Sequence, residues 1–241
     1  MTALRSLAFN GFFFLATAIA CIVIGLPCLL MPRGVLVVAM RIWARTMLGA
    51  LRWLAGIDWE LRGDARALSS PGVLAVKHQS AWDTIVFLAA AADPAYVLKK
   101  ELLLIPVYGW LVRKADMIVV DRSKGGSAIR SMAKGAARAL AQGRQIVIFP
   151  QGTRVAPGAT APYHPGVAAL YQQTGVAVTP VALNSGLHWG RRSFVKRPGR
   201  IVIEILPPIA PGLDRKAFME TLETAIEGAS ARLAAGAAAP G

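Results

Sequence analysis

Val73-Leu74-Ala75-Val76-Lys77-His78-Gln79-Ser80-Ala81-Trp82-Asp83 starts as an unbroken apolar run and ends in polar groups that open a helix. A short apolar run of this kind reads as a buried strand, which puts His78 where the chain leaves the sheet. That edge is where α/β folds place their ligand contacts. Outward from it, from Ile57 onward, short β-branched runs alternate with alanine-rich helical stretches. Strands are predicted at 72–77, 95–98, 117–120, 145–149, 176–183 and 201–206, and helices at 81–92, 102–113, 126–142, 165–174 and 213–234. This order predicts an α/β domain over 59–241, a mixed, largely parallel central sheet flanked by helices. Its Ala-, Gly- and Pro-rich tail, 230–241, is expected to fray.

Residues 1–58 read differently. From Leu7 to Met31 no residue is charged, a length that suits a membrane-embedded helix. Its Leu, Ile, Phe and Val content favours insertion by about 4 to 8 kcal/mol. A signal peptide fits poorly, because Pro27, Pro32 and Arg33 stand where a small-residue cleavage site belongs. The next segment, 35–54, carries Arg41, Arg45 and Arg52 close together on a helical wheel, so it reads as an amphipathic helix at the interface. Its arginines either meet phosphate headgroups or turn back toward the protein. The two segments form the anchor, with Pro27 and Pro32 bracketing the bend of a hairpin that keeps Arg5 on the same side as Arg33, Arg41, Arg45 and Arg52. That cationic flank predicts an inner-membrane protein whose catalytic domain faces the cytoplasm.

Composition narrows the function. The 27 Lys and Arg against 13 Asp and Glu give a formal charge of +14 in a chain that is 55% hydrophobic. With a mean hydropathy of +0.48, this suits an anionic membrane surface and excludes a nucleic-acid partner. The two cysteines, Cys21 and Cys28, lie in the apolar N-terminal stretch, so neither a disulfide framework, a metal site nor a thiol nucleophile is expected in the domain. A basic segment interleaved with aromatics, from Trp189 to Arg200, either presses on anionic lipid or is a solvated loop.

Two blocks carry the chemistry. Asp83 can accept an imidazole N–H from His78 and leave the other ring nitrogen free to take a proton from an alcohol. Equally, Ser80 and Asp83 form a capping box for the following helix. Downstream, Phe149-Pro150-Gln151-Gly152-Thr153-Arg154 follows another strand: proline stops the ladder, glycine allows close approach, and Thr153 and Arg154 offer a hydroxyl and a bidentate donor. Alone it is a turn with a surface arginine. Met117 to Arg122 repeats the design of strand followed by charge, with a surface Asp121-Arg122 pair as the plain alternative.

In combination these blocks resemble the glycerolipid acyltransferases, most closely the bacterial 1-acyl-sn-glycerol-3-phosphate acyltransferases. His78 and Asp83 match the family's His-x4-Asp signature. Lys99-Lys100-Glu101-Leu102 with Pro106 and Gly109, Val120-Asp121-Arg122, Phe149 to Arg154 and Val178-Thr179-Pro180-Val181 match its further blocks in order. The resemblance makes His78 the catalytic base and Asp83 its partner. It assigns the acceptor phosphate to Arg122, Gly152, Thr153 and Arg154, and acceptor contacts to Gln151 and Lys100. It implies acyl transfer from acyl-CoA or acyl carrier protein to the sn-2 hydroxyl of lysophosphatidic acid, with no cofactor or metal. Gln151 stands where the family usually has glutamate, Asp116 where it often has glycine, and His164-Pro165 where lysines are common. Acylation of another lysolipid, such as lyso-ornithine lipid, and an inactive lipid-binding membrane protein are the alternatives.

Overall fold

The computed structural model describes residues 1–238. The chain opens with a helical hairpin. Helix α1 (Thr2–Ile19) runs on through a π-helical stretch, Ala20–Gly25, into Leu26–Cys28, and α2 (Arg33–Ala50) runs on through Leu51–Ala55. Pro27 lies inside the first helix rather than in the bend, which is made by the residues up to Pro32. A proline there lacks an N–H and crowds the preceding turn, and the widened turn just before it accommodates both effects.

The hairpin returns to its origin. Arg5 Nε donates to the Leu54 carbonyl at 2.8 Å, and Trp43 Nε1 to Thr17 Oγ1 at 3.3 Å. Both ends also dock on the domain. At the open end, the Lys196 N–H donates to Ser6 Oγ at 2.9 Å, and Phe9, 0% exposed, meets Trp189 edge-on at 5.3 Å. At the bend, Arg33 forms a bidentate pair with Asp93 at 2.6 and 2.8 Å and reaches the Ala115 carbonyl. Burial pushes the Asp93 carboxyl up, but Arg33 and Arg144 more than reverse this and hold it below its ordinary value. Of the three arginines that follow in this helical stretch, two turn toward the protein: Arg41 donates to the carbonyls of Ala91 and Ala92, and Arg52 lies 3.5 Å from Asp58, while Arg45 is exposed. The opposite face exposes Leu4, Leu7, Phe14, Leu15, Ile22 and Val23.

Seven strands among the described residues make one sheet in the order β1-β7-β6-β2-β5-β3-β4. They are β1 (Ile57–Arg62), β2 (Gly72–Val76), β3 (Pro94–Lys99), β4 (Ile118–Val120), β5 (Gln145–Ile148), β6 (Val178–Leu183) and β7 (Gly199–Ile205). All neighbouring pairs are parallel except β6 with β7, as expected of a mixed, largely parallel sheet. Helices α3 (Trp82–Ala90), α4 (Tyr108–Lys114), α5 (Gly126–Ala141), α6 (Gly166–Thr174), α7 (Ser185–His188) and α8 (Arg215–Ala238) complete the described elements, apart from short 3₁₀ turns.

Period-two alternation divides the strands between two cores. Leu74, Val76, Val147, Val181 and Leu183 pack with α3 and the hairpin. Val73, Ala75, Ile146 and Ile148 pack with α5, α6 and α8.

Three expectations need correcting. Ile57-Asp58-Trp59-Glu60-Leu61-Arg62 is a strand that was not foreseen, half-buried at the sheet edge. The single helix expected over 102–113 is two pieces, a 3₁₀ turn at Lys100–Leu104 and α4, because Pro106 ends the first. The tail is helical to Ala238, with Ser230 and Leu233 buried, so no fraying begins at 230; residues 239–241 lie outside the described residues. Asp116 has a φ of 53°, which accounts for glycine being frequent there, and Arg138 holds its carboxylate at 2.5 Å.

Replacing Phe9 by alanine empties the hairpin's contact with Trp189 and lowers stability by about 3 to 5 kcal/mol. Thermal unfolding in detergent measures this, and an unchanged midpoint means the hairpin does not dock.

Candidate active site

Strand β2 lies between β5 and β6, so three parallel strands end side by side at one edge of the sheet. His78, the 149–154 turn and Ser185 all emerge there. His78 Nδ1 lies 2.9 Å from Asp83 Oδ2. The same oxygen accepts the N–H groups of Gln79 at 2.7 Å and Ser80 at 2.8 Å, and Oδ1 accepts the Ser185 hydroxyl at 2.5 Å. Asp83 is 0% exposed. A carboxylate that receives four donors in a buried site stays an acceptor, so Nδ1 carries the proton and Nε2 presents its lone pair.

The helix-capping reading also holds, in altered form. Ser80 Oγ accepts the Trp82 N–H at 3.1 Å, while Asp83 accepts the Ser80 N–H. Because the carboxylate has two oxygens, it caps the chain and orients the imidazole at once.

The 149–154 turn wraps around His78. Phe149 stacks on the imidazole with ring centres 4.1 Å apart. Gln151, 2% exposed, accepts the His78 N–H at 3.2 Å, and the His78 carbonyl accepts the Val155 N–H at 2.8 Å. Arg154 is therefore tied next to His78 through the main chain. Gly152 has a φ of 62°, and a Cβ there would come within 2.5 Å of an Arg122 guanidinium nitrogen and 2.6 Å of His164 Cδ2. Only glycine lets Arg122 approach the turn so closely. Thr153 is exposed at the turn.

Arg122 does not pair with Asp121. Lys100 takes that carboxylate at 2.8 Å, and this hydrogen bond, with those from Ser123, brings Asp121 down to about 2. Lys100 is thus engaged with Asp121 rather than open toward a ligand. Among the described residues neither Arg122 nor Arg154 has a carboxylate within ion-pair distance, since both are absent from every such pair formed there. His164 sits beside Arg122, and its imidazole is lowered by burial first and then by Arg122 and Lys99, which favours the neutral ring. Arg122, Phe149, Pro150 and His164 line one wall of a cavity of about 380 Å³ that Leu98, Val120, Ile129 and Met132 close with apolar groups. The arrangement brings together an imidazole with an open nitrogen, the Arg122 guanidinium at the Gly152 turn, the main chain of Arg154 and an apolar recess.

Ser185, Tyr163, Lys77 and Glu227 also belong here and were not anticipated. Ser185 follows β6, next to β2, a position that a reading of strand ends could have flagged. The other three meet through long-range packing that leaves no trace in local pattern. Trp189 and Lys196 of the basic segment face inward: Lys196 Nζ bonds the carbonyls of Ser193 and Phe194 and lies 4.9 Å above the Trp189 ring. Burial lowers this lysine to about 8. Among the described residues no group of three or more His, Cys, Asp or Glu could hold a metal ion.

Comparison with known proteins places the chain in a family. The family described as Acyltransferase matches residues 59–184. A 1-acyl-sn-glycerol-3-phosphate acyltransferase of Pseudomonas aeruginosa is 36% identical over 180 residues, covering 74% of this chain and 70% of that protein. A lyso-ornithine lipid O-acyltransferase of the same organism is 31% identical over 194 residues, covering 73% and 74%. In fold, the chain is similar to the crystal structure of a 1-acyl-sn-glycerophosphate acyltransferase from Thermotoga maritima, with a TM-score of 0.78 at 19% identity over 97% of this chain and 98% of that one.

Ser185→Ala leaves Asp83 Oδ1 buried without its donor, costing about 1.5 to 3 kcal/mol. A thermal midpoint equal to the wild type would remove Ser185 from the site.

Proposed function

The chain belongs to the acyltransferase family and is an enzyme of it, and we propose that it transfers a fatty acyl group from acyl-CoA or acyl carrier protein to the sn-2 hydroxyl of 1-acyl-sn-glycerol-3-phosphate, giving phosphatidic acid. One observation carries the assignment: a histidine held by a buried carboxylate, with its other nitrogen open, next to a turn that the Arg122 guanidinium approaches and that bears Arg154, neither arginine being neutralised by an acidic side chain among the described residues. His78 Nε2 takes the proton from the sn-2 hydroxyl as the oxygen attacks the thioester carbonyl. The tetrahedral adduct collapses, the carbon–sulfur bond breaks, and the proton passes from the imidazolium to the leaving thiolate. Arg122 and Arg154, with the Gly152–Thr153 turn, hold the acceptor's phosphate so that its hydroxyl meets the base. A positioned base contributes about 10² to 10⁴ in rate, and fixing the two reactants supplies much of the rest. The apolar recess beside Phe149 suits an acyl chain.

The relative that acylates lyso-ornithine lipid supports a second acceptor. An ornithine headgroup is zwitterionic, a carboxylate joined to an ammonium that Arg122, Arg154 and Lys99 oppose, whereas a phosphomonoester is anionic throughout. The free guanidiniums therefore favour the phosphate-bearing acceptor.

Residues 1–58 act as the anchor and residues 59–241 as the catalytic unit. The two helical stretches, Thr2–Cys28 and Arg33–Ala55, are each long and apolar enough to cross a membrane, with mean hydropathies of 2.3 and 1.5. Because the hairpin docks on the domain at its open end and at its bend, it lies along the domain and enters one leaflet edgewise. Leu104, 82% exposed, with Ile105 and Trp110, extends the same apolar surface beside the bend, where Leu111 packs against Gly25. The surface rests on the cytoplasmic face of the inner membrane, where anionic lipids attract the cationic domain.

His78→Ala is expected to lower acyl transfer from acyl-CoA to lysophosphatidic acid by about 10² to 10⁴ while liposome binding is unchanged. Near-normal turnover would eliminate His78 as the base. Arg122→Ala and Arg154→Ala should each raise KM for lysophosphatidic acid by roughly 10-fold or more, in line with losing a charge-assisted hydrogen bond, and should affect lyso-ornithine lipid less. Equal effects on the two acceptors would argue against phosphate recognition.

A further inference from the structure

Behind His78 lies a second cluster that the catalytic step does not use. Lys77, 2% exposed, points its ammonium at Glu227 of α8, with contacts of 2.7 Å to Oε1 and 2.6 Å to Oε2. The Tyr163 hydroxyl donates to Glu227 Oε1 at 2.9 Å, and Gln151 Nε2 donates to the same oxygen at 3.3 Å. The other end of the Gln151 amide accepts the His78 N–H. One end of this side chain must donate and the other must accept, and an amide does both where a carboxylate cannot. A glutamate at 151 would bring a second negative charge against Glu227. Glutamine at this position is therefore matched to a carboxylate that arrives from elsewhere in the fold.

We propose that Glu227 is a positioning residue of the catalytic site: its carboxylate supplies, from the C-terminal helix, the negative charge that Gln151 does not carry, balances Lys77, and through the Gln151 amide fixes the main chain of His78. This deepens the functional assignment and rests on His78 being the base. Breaking the pair at one end strands a buried charge one residue from the base, whereas moving the carboxylate across the hydrogen bond keeps it near the ammonium, because both donors meet at the same oxygen.

The test is a charge-swap cycle on the full chain, with oleoyl-CoA and 1-oleoyl-lysophosphatidic acid in mixed micelles, or lyso-ornithine lipid should the wild type use only that acceptor. Glu227→Gln and Gln151→Glu should each lower kcat by about 10-fold or more with KM little changed, and the Gln151→Glu/Glu227→Gln double variant should recover to within about 3-fold of wild type, far above the product of the singles. Lys77→Met/Glu227→Met removes both charges together, a change that buried pairs tolerate in stability. It leaves Gln151 and Tyr163 without their acceptor, so its thermal midpoint falls modestly, and turnover read below that midpoint should still be lost, which decides the matter if a single variant does not fold. Wild-type kcat in Glu227→Gln or in the Met pair, or a double variant no better than the product of its singles, overturns the proposal. If those results accompany a loss of turnover in His78→Ala, only Glu227's role fails; if His78→Ala stays active, the assignment of the base fails instead.

Discussion

Burying the Asp83 carboxylate sets the terms for the whole catalytic edge. A charge at 0% exposure is costly unless donors surround it, and this one receives an imidazole, two main-chain N–H groups and a hydroxyl. Meeting that requirement fixes the path of 78–83, the start of α3 and the approach of Ser185 from the end of β6. It also fixes the tautomer of His78. The orientation of this imidazole is thus a consequence of solving a solvation problem, and the same bonds that make the carboxylate tolerable hold it in place.

The hairpin completes the core on one face of the sheet. Phe9, Ala44, Met47 and Leu51 belong to the same cluster as Trp82, Val86 and Phe87 of α3, the helix that Asp83 begins. The hairpin is therefore packed against the helix that carries Asp83, and on its proposed role as an anchor whatever seats it in lipid also sets the depth of the site. A lysolipid acceptor keeps its chain in the leaflet and its headgroup at the surface. On the proposed edgewise placement in one leaflet, the enzyme meets it without extracting it.

Legibility in the sequence followed distance along the chain. His78 and Asp83 are five residues apart, so a single local turn decides their geometry, and their spacing could be read directly. Helix capping and a partnership with the imidazole coexist at Asp83, because a carboxylate has lone pairs enough for both. The strand Ile57 to Arg62 alternates Ile57, Trp59 and Leu61 with polar residues, a readable signal hidden by its place just after an arginine-bearing helix. Pro106 announced the break before α4 in the same way. Glu227 stands 150 residues from Lys77. Helical periodicity tells which face of α8 is buried, through Phe218, Leu222 and Ile226, but nothing in that pattern names the lysine that the next residue meets.

Charge explains why the two guanidiniums stay free. The chain has 13 acidic side chains against 27 Lys and Arg, and several of its acids are committed to particular partners. Asp93 holds Arg33 and Arg144, Asp116 holds Arg138, Glu60 holds Arg200, Glu227 holds Lys77, and Asp83 holds His78. The acid best placed by sequence to neutralise Arg122 is Asp121, and Lys100 captures it. The exposed Lys100-Asp121 pair contributes little to stability by itself. Its effect is on its neighbour: with Asp121 occupied, Arg122 keeps its full charge at the Gly152 turn. A surplus of cations spread over a surface only attracts anions to it. Here local pairing turns that surplus into unneutralised donors beside an open imidazole nitrogen, which is what a dianionic headgroup with a nearby hydroxyl requires.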